Sequence, residues 1–148
     1  MAHLLCPVAV HLFLRDGVRI LLSRRFQTGY EDGNYSLVAG HVETGEDVVS
    51  AMIREAAEEV GITIDPADCK AVQVMHRKTA DGERIDWFFE CSRWCGDVRN
   101  AEPDKCDELW WAPADNLPAN TVGYIAAAIV RYQQGAYFTL YGWDVSEA

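Results

Sequence analysis

The chain has 148 residues, with 13 Lys+Arg against 23 Asp+Glu and a formal net charge of −10. That length suits a single domain spanning residues 1–148 with room for a proper core. The charge argues against a nucleic-acid polymer as ligand, because phosphate backbones call for cationic surface, and no apolar run is long enough to span a membrane.

Taken in chain order, Val8 to Leu14 reads as a strand, Asp16-Gly17 as a hairpin turn and Val18 to Ser23 as the partner strand. Arg24 to Asn34 is a polar loop, and Tyr35 to Ala39 a short strand leading to Gly40. A helix follows, with Val49, Met52, Ile53, Ala56 and Val60 on one apolar face. Thr44 and Asp47 have capping-box spacing at its start, and Gly61 is placed to end it. Lys70 to Lys78 and Arg84 to Cys91 read as strands joined at Asp81-Gly82, Glu108 to Ala112 as another, and Thr121 to Gln134 as a second helix. Strands and helices in this order predict a mixed sheet between helices. The five cysteines are odd in number and form no disulfide framework, and Cys91-x3-Cys95 lacks zinc spacing. Leu4 to Leu14 is interrupted by Pro7 and His11 and has no basic segment before it, unlike a secretory leader. A cytoplasmic location is the expectation.

The chemistry concentrates in residues 40–62, GHVETGEDVVSAMIREAAEEVGI. Glu55, Glu58 and Glu59 stand at i, i+3 and i+4, so a helix brings three carboxylates onto one face. Like charges so close repel, and a hard divalent cation relieves them, since Mg2+ prefers oxygen ligands and is shared with substrate phosphates. Gly40 offers backbone that a metal or phosphate can approach with no side chain in the way. A solvated acidic face is the plainer reading of an isolated E-x-x-E-E.

Gly40, Glu46, Arg54-Glu55, Glu58-Glu59 and Gly61-Ile62 fill every specified position of G-x5-E-x7-R-E-U-x-E-E-x-G-U, and the segment resembles the Nudix box. The resemblance implies an α/β/α sandwich with a mixed β-sheet. It also implies Mg2+ (with Mn2+ as an alternative) held by the Gly40 carbonyl, Glu55, Glu58, Glu59 and a further loop glutamate. Glu102, in Asn100 to Lys105, matches the position of that glutamate in MutT-like members; an ordinary loop carboxylate is its other reading, and Asp104 and Glu108 are weaker matches. Glu55 or Glu102 is then the general base, and Arg54 orients Glu55 or Glu46. MutT-like members have an arginine in a place comparable to Arg24, in the pair Arg24-Arg25, where a guanidinium suits phosphate oxygens; solvated surface charge is the other reading of the pair. Asn120 resembles an asparagine set against the purine, while helix capping is its alternative role. Where many members have Pro-Gly-Gly, this chain has Val38-Ala39-Gly40-His41, which places His41 beside the phosphates and leaves substrate preference open. One of Trp110 and Trp111 is expected to line the pocket.

The implied activity is hydrolysis of a nucleoside triphosphate, with oxidised or non-canonical purines in view, to a monophosphate and pyrophosphate. The alternatives are cleavage of ADP-ribose, a dinucleoside polyphosphate or a sugar nucleotide, and, in a different class, a nucleotide sensor without turnover. The expected partner is a small nucleotide; monomer and homodimer both occur in such proteins.

Overall fold

A computed structural model describes residues 2–143. Strand β1 (Val8–Asp16) turns through Gly17, whose φ of 62° is in the left-handed region, into β2 (Arg19–Arg25). Strands β3 (Tyr35–Ser36) and β4 (Val38–His41) precede helix α1 (Val48–Val60). After a single 3-10 turn at Pro66–Asp68 come β5 (Lys70–Thr79) and β6 (Gly82–Cys91). Strand β7 (Cys106–Pro113), helix α2 (Gly123–Gln133) and β8 (Phe138–Tyr141) complete the described chain.

The sheet is mixed. One part runs β4-β1-β6-β5-β8, with β1/β6 and β5/β8 parallel and β1/β4 and β5/β6 antiparallel. The other is the antiparallel set β3-β2-β7, joined to the first where β1 and β2 pair at Arg15↔Ile20 and Asp16↔Arg19. Alternation along β1 builds two cores. Val10, Leu12 and Leu14 face α1 and pack with Met52, Ala56 and Phe89. Phe13 faces the other way, toward Phe88, Ile125 and Ile129 of the α2 layer. With one helix buried on each face, the architecture is the expected α/β/α sandwich.

Two local expectations are corrected, and one strand is added. Helix α1 starts at Val48, not near Thr44: Asp47 is the N-cap, its carboxylate accepting from the Ser50 amide (2.9 Å) and hydroxyl (2.8 Å). Helix α2 starts at Gly123, because Thr121 and Val122 hydrogen-bond with Pro118 and Tyr35 instead. Strand β8 is short and inverts the usual alternation, burying Thr139 and exposing Phe138 and Leu140, so its pattern does not announce a strand in the sequence. Gly61 ends α1 in left-handed conformation (φ 71°), its amide donating to the Ala57 carbonyl.

Candidate active site

Helix α1 packs its apolar face on β1 and β4 and lays Glu55, Glu58 and Glu59 along a cleft of about 640 Å³. The far wall includes Gly40 and His41 from β4 and Ser23 and Arg25 from β2. Gly40 sits directly under Glu55: a β-carbon there would overlap the Glu55 carboxylate. The Ala39 amide donates to Glu59 Oε2 at 3.1 Å, tying the helix to the strand.

Arg54 fixes the entrance to this helix. Its Nε and NH2 donate to the two oxygens of Glu46 (2.7 and 2.9 Å), and NH1 donates to Glu55 Oε1 (2.8 Å) and Glu58 Oε2 (3.3 Å). NH2 also reaches the His41 carbonyl at 3.1 Å. One guanidinium therefore connects the helix, the loop before it and β4. The hydrogen bonds from Arg54 hold the Glu46 carboxyl below its ordinary range.

The loop bearing Glu102 hangs from the end of α1. The Arg99 and Ala101 amides donate to the Val60 and Glu59 carbonyls, both at 3.0 Å, satisfying acceptors that a helix terminus leaves unpaired. Asn100 closes the loop: its Oδ1 accepts from the Glu102 amide (3.1 Å) and its Nδ2 donates to the Cys106 carbonyl (2.7 Å). Glu102 thereby lines the cleft with Glu55, Glu58 and Glu59, whereas Asp104 does not. Glu108 is occupied elsewhere, by the Tyr35 hydroxyl and Arg24.

The electrostatics are those of a carboxylate cluster. Burial, then repulsion from Glu55, raises the Glu59 carboxyl well above the ordinary range, with only the Ala39 amide pulling it down. Glu102 is raised by burial, relieved in part by Lys105 and raised again by Glu55, Asp104 and Glu58. As placed, no three His, Cys, Asp or Glu side chains among the described residues form a ready ligand group. Arg54 holds Glu55 and Glu58 to one side and leaves Glu59 without a cationic partner among the described residues. The all-oxygen donor set and the close approach of the Glu55 carboxylate to the Gly40 backbone fit a hard divalent ion.

Residues 6–132 match the family model described as NUDIX domain. The chain belongs to the Nudix hydrolase superfamily. As a Nudix domain it is similar to "8-oxo-dGTP diphosphatase" of Escherichia coli, 26% identical over 75% of this chain and 86% of that one. It is 31% identical to "NAD-capped RNA hydrolase NudC" of Stutzerimonas stutzeri over 78% of this chain, and the match spans only 39% of that longer relative. The crystal structure of a MutT NUDIX hydrolase from Burkholderia pseudomallei superposes with a TM-score of 0.78 at 26% identity, covering 85% of this chain and 97% of that one. By family model and by fold alike, the chain is a Nudix domain.

The remaining candidates distribute unevenly in this Nudix domain. Leu21, Ser23 and Arg25 share one face of β2, and it is Arg25 that lines the cleft. Arg24 points away and pairs with Asp107 (2.7 Å), so of the pair only Arg25 is placed to meet a ligand in the cleft. Asn120 lines neither the cleft nor its neighbouring cavity; its side chain donates to the Gly33 carbonyl (2.8 Å), and it does not cap α2. His41 is exposed and lines the cleft. Lys105, which drew no notice in the sequence, lines it as well. Trp111 packs in the α1 core, stacked on Trp94, and Trp110 is outside it against Tyr35; neither lines the cleft.

Proposed function

We propose that this Nudix hydrolase cleaves a pyrophosphate linkage in a small nucleotide, with Mg2+ as cofactor and Mn2+ as a substitute. The observation that carries the reading is the meeting of Glu55, Glu58 and Glu59 from α1 with Glu102 from a loop pinned to the same helix, opposite the bare backbone of Gly40. Glu55, Glu58, Glu59, the Gly40 carbonyl and Glu102 would hold the ion. When bound, it would neutralise phosphate charge and make a water in the cleft easier to deprotonate. Glu55 or Glu102 accepts that proton as the water attacks phosphorus. Arg54 keeps Glu55 in place through the transfer. Arg25 and Lys105, on the cleft wall, offer N–H donors to phosphate oxygens as the leaving group gains charge.

The first substrate reading is a nucleoside triphosphate cut to monophosphate and pyrophosphate, supported by the MutT-type relatives. The second is a nucleoside diphosphate joined to another group, as in ADP-ribose or a dinucleotide. The NudC relative supports it, as does the position of Asn120 outside the cleft, since that residue was the purine reader in the first.

The test is product analysis on a panel of canonical and oxidised triphosphates, ADP-ribose, dinucleotides and sugar nucleotides with Mg2+, run beside Glu58→Gln. Pyrophosphate released from a triphosphate, and lost in the variant, supports the first reading. Two monophosphates support the second. Tight binding with no turnover on any member would sink the hydrolytic reading.

A further inference from the structure

On the α2 side of β4 lies a second cavity, of about 420 Å³. It shares Arg25, Ala39, Gly40 and His41 with the carboxylate cleft, so a ligand seated in one abuts the other. Three arginines line it, Arg25, Arg77 and Arg84, against one lining carboxylate, Asp81. In a protein of net charge −10, such a gathering runs against the bulk field.

The three guanidinium groups are differently held. Arg77 donates from Nε to Asp86 Oδ2 (2.8 Å) and lies over the Tyr124 ring at 3.7 Å. Asp86 is fully buried and is also held by His11 Nε2 at 3.0 Å, so Arg77 is fixed in place. Arg25 donates to the Tyr30 carbonyl (2.6 Å) and the Thr28 hydroxyl (3.1 Å) and sits over the Tyr30 ring. Among the described residues the Arg84 side chain hydrogen-bonds the adjacent Glu83 carbonyl alone. Among the described residues no carboxylate lies within salt-bridge distance of Arg25 or Arg84. Two arginines without carboxylate partners beside a third that is braced make a site for oxyanions, because the guanidinium fork matches phosphate oxygens.

We propose that this cavity is an anion subsite taking a phosphoryl group of the substrate other than the one attacked. The proposal rests on the reading of the cleft as a pyrophosphate hydrolase. The phosphoryl group has two sources: the end of the phosphate chain itself, or a phosphomonoester elsewhere on the nucleotide.

Titration calorimetry on Glu58→Gln with Mg2+ separates them, using the matched pairs ATP/ADP and NADP+/NAD+, with Arg84→Ala and Arg84→Lys added in the same background. The expected result is that the more phosphorylated member of one pair binds about tenfold tighter or more, and that Arg84→Ala collapses this ratio toward one while Arg84→Lys retains part of it. Collapse in ATP/ADP assigns the subsite to the chain end; collapse in NADP+/NAD+ assigns it to a phosphomonoester off the chain. No preference in either pair, or a preference that Arg84→Ala leaves intact, overturns the proposal. Circular dichroism of Arg84→Ala excludes unfolding as the cause. Binding is read apart from turnover: a chain that shows the ratio yet hydrolyses nothing would overturn the hydrolase reading and leave the subsite standing.

Discussion

Gly40 and Glu55 occupy the space of one side chain: where any other residue at position 40 would place its β-carbon, the Glu55 carboxylate already stands. The glycine is required by this close approach, since its φ is not in the left-handed region. Gly40→Ala should therefore displace Glu55, whose long side chain yields more easily than backbone. We expect kcat to fall by about 100-fold, the order caused by an ångström of misplacement, with the thermal unfolding midpoint little changed. Steady-state kinetics alongside a melting curve checks this; full activity would refute the contact.

Arg54 is read as a positioning residue. Lysine in its place keeps the charge but cannot grip both Glu46 oxygens while also reaching Glu55. Arg54→Lys should lower kcat by about 10- to 100-fold, as loss of a supporting contact behind a metal site does, with KM much less affected. In a double-mutant cycle, Glu46→Gln should add little to Arg54→Lys. An unchanged kcat, or an effect confined to KM, would argue for a substrate contact instead.

Asn100 holds the Glu102 loop from both sides, through the Glu102 amide and the Cys106 carbonyl. Asn100→Ala should cost about tenfold or more in kcat by loosening Glu102. That loss should be non-additive with Glu102→Gln, because both act through one carboxylate. Additive losses would separate the two residues.

Asp86 makes stability depend on pH. Burial alone would raise its carboxyl, but hydrogen bonds from His11 and Arg77 overcome this and hold it below the ordinary aspartate value of 3.8. A folded-state value below the unfolded one gives stability that is complete above about pH 5 and lost as pH falls through the folded value, because the unfolded chain takes up the proton first. Asp86→Asn should cost about 3 kcal/mol at neutral pH by stranding Arg77. Its urea midpoint should also fall less steeply than that of the parent below pH 5. Parallel curves would show that Asp86 is not the group responsible.

Much of this was legible in the sequence where a single local rule decides. The apolar spacing in α1, the i, i+3, i+4 carboxylates and the helix-ending Gly61 all depend on neighbours along the chain. What was not legible depends on partners far away. Arg24 and Arg25 look alike in sequence, and with Ile20, Leu21 and Leu22 all buried ahead of them neither parity stands out; only the face of β2 that meets the cleft separates them. Asn120 is drawn to Gly33, a contact no motif specifies. Asp47, not Thr44, caps the helix because Ser50 gives Asp47 two hydrogen bonds while Glu46 is taken by Arg54. The cavity formed by Arg77, Arg84 and Tyr124 draws on β5, β6 and α2, which meet only in the folded sheet.

Because the Glu102 loop is fastened to the last turn of α1, the chain between Gly61 and Arg99 leaves the helix and returns to it almost where it departed. The whole β5–β6 hairpin lies in that excursion and carries Arg77, Thr79 and Arg84. Substitutions along the hairpin can reshape what the neighbouring cavity accepts, while the four glutamates stay mounted on a single rigid bracket.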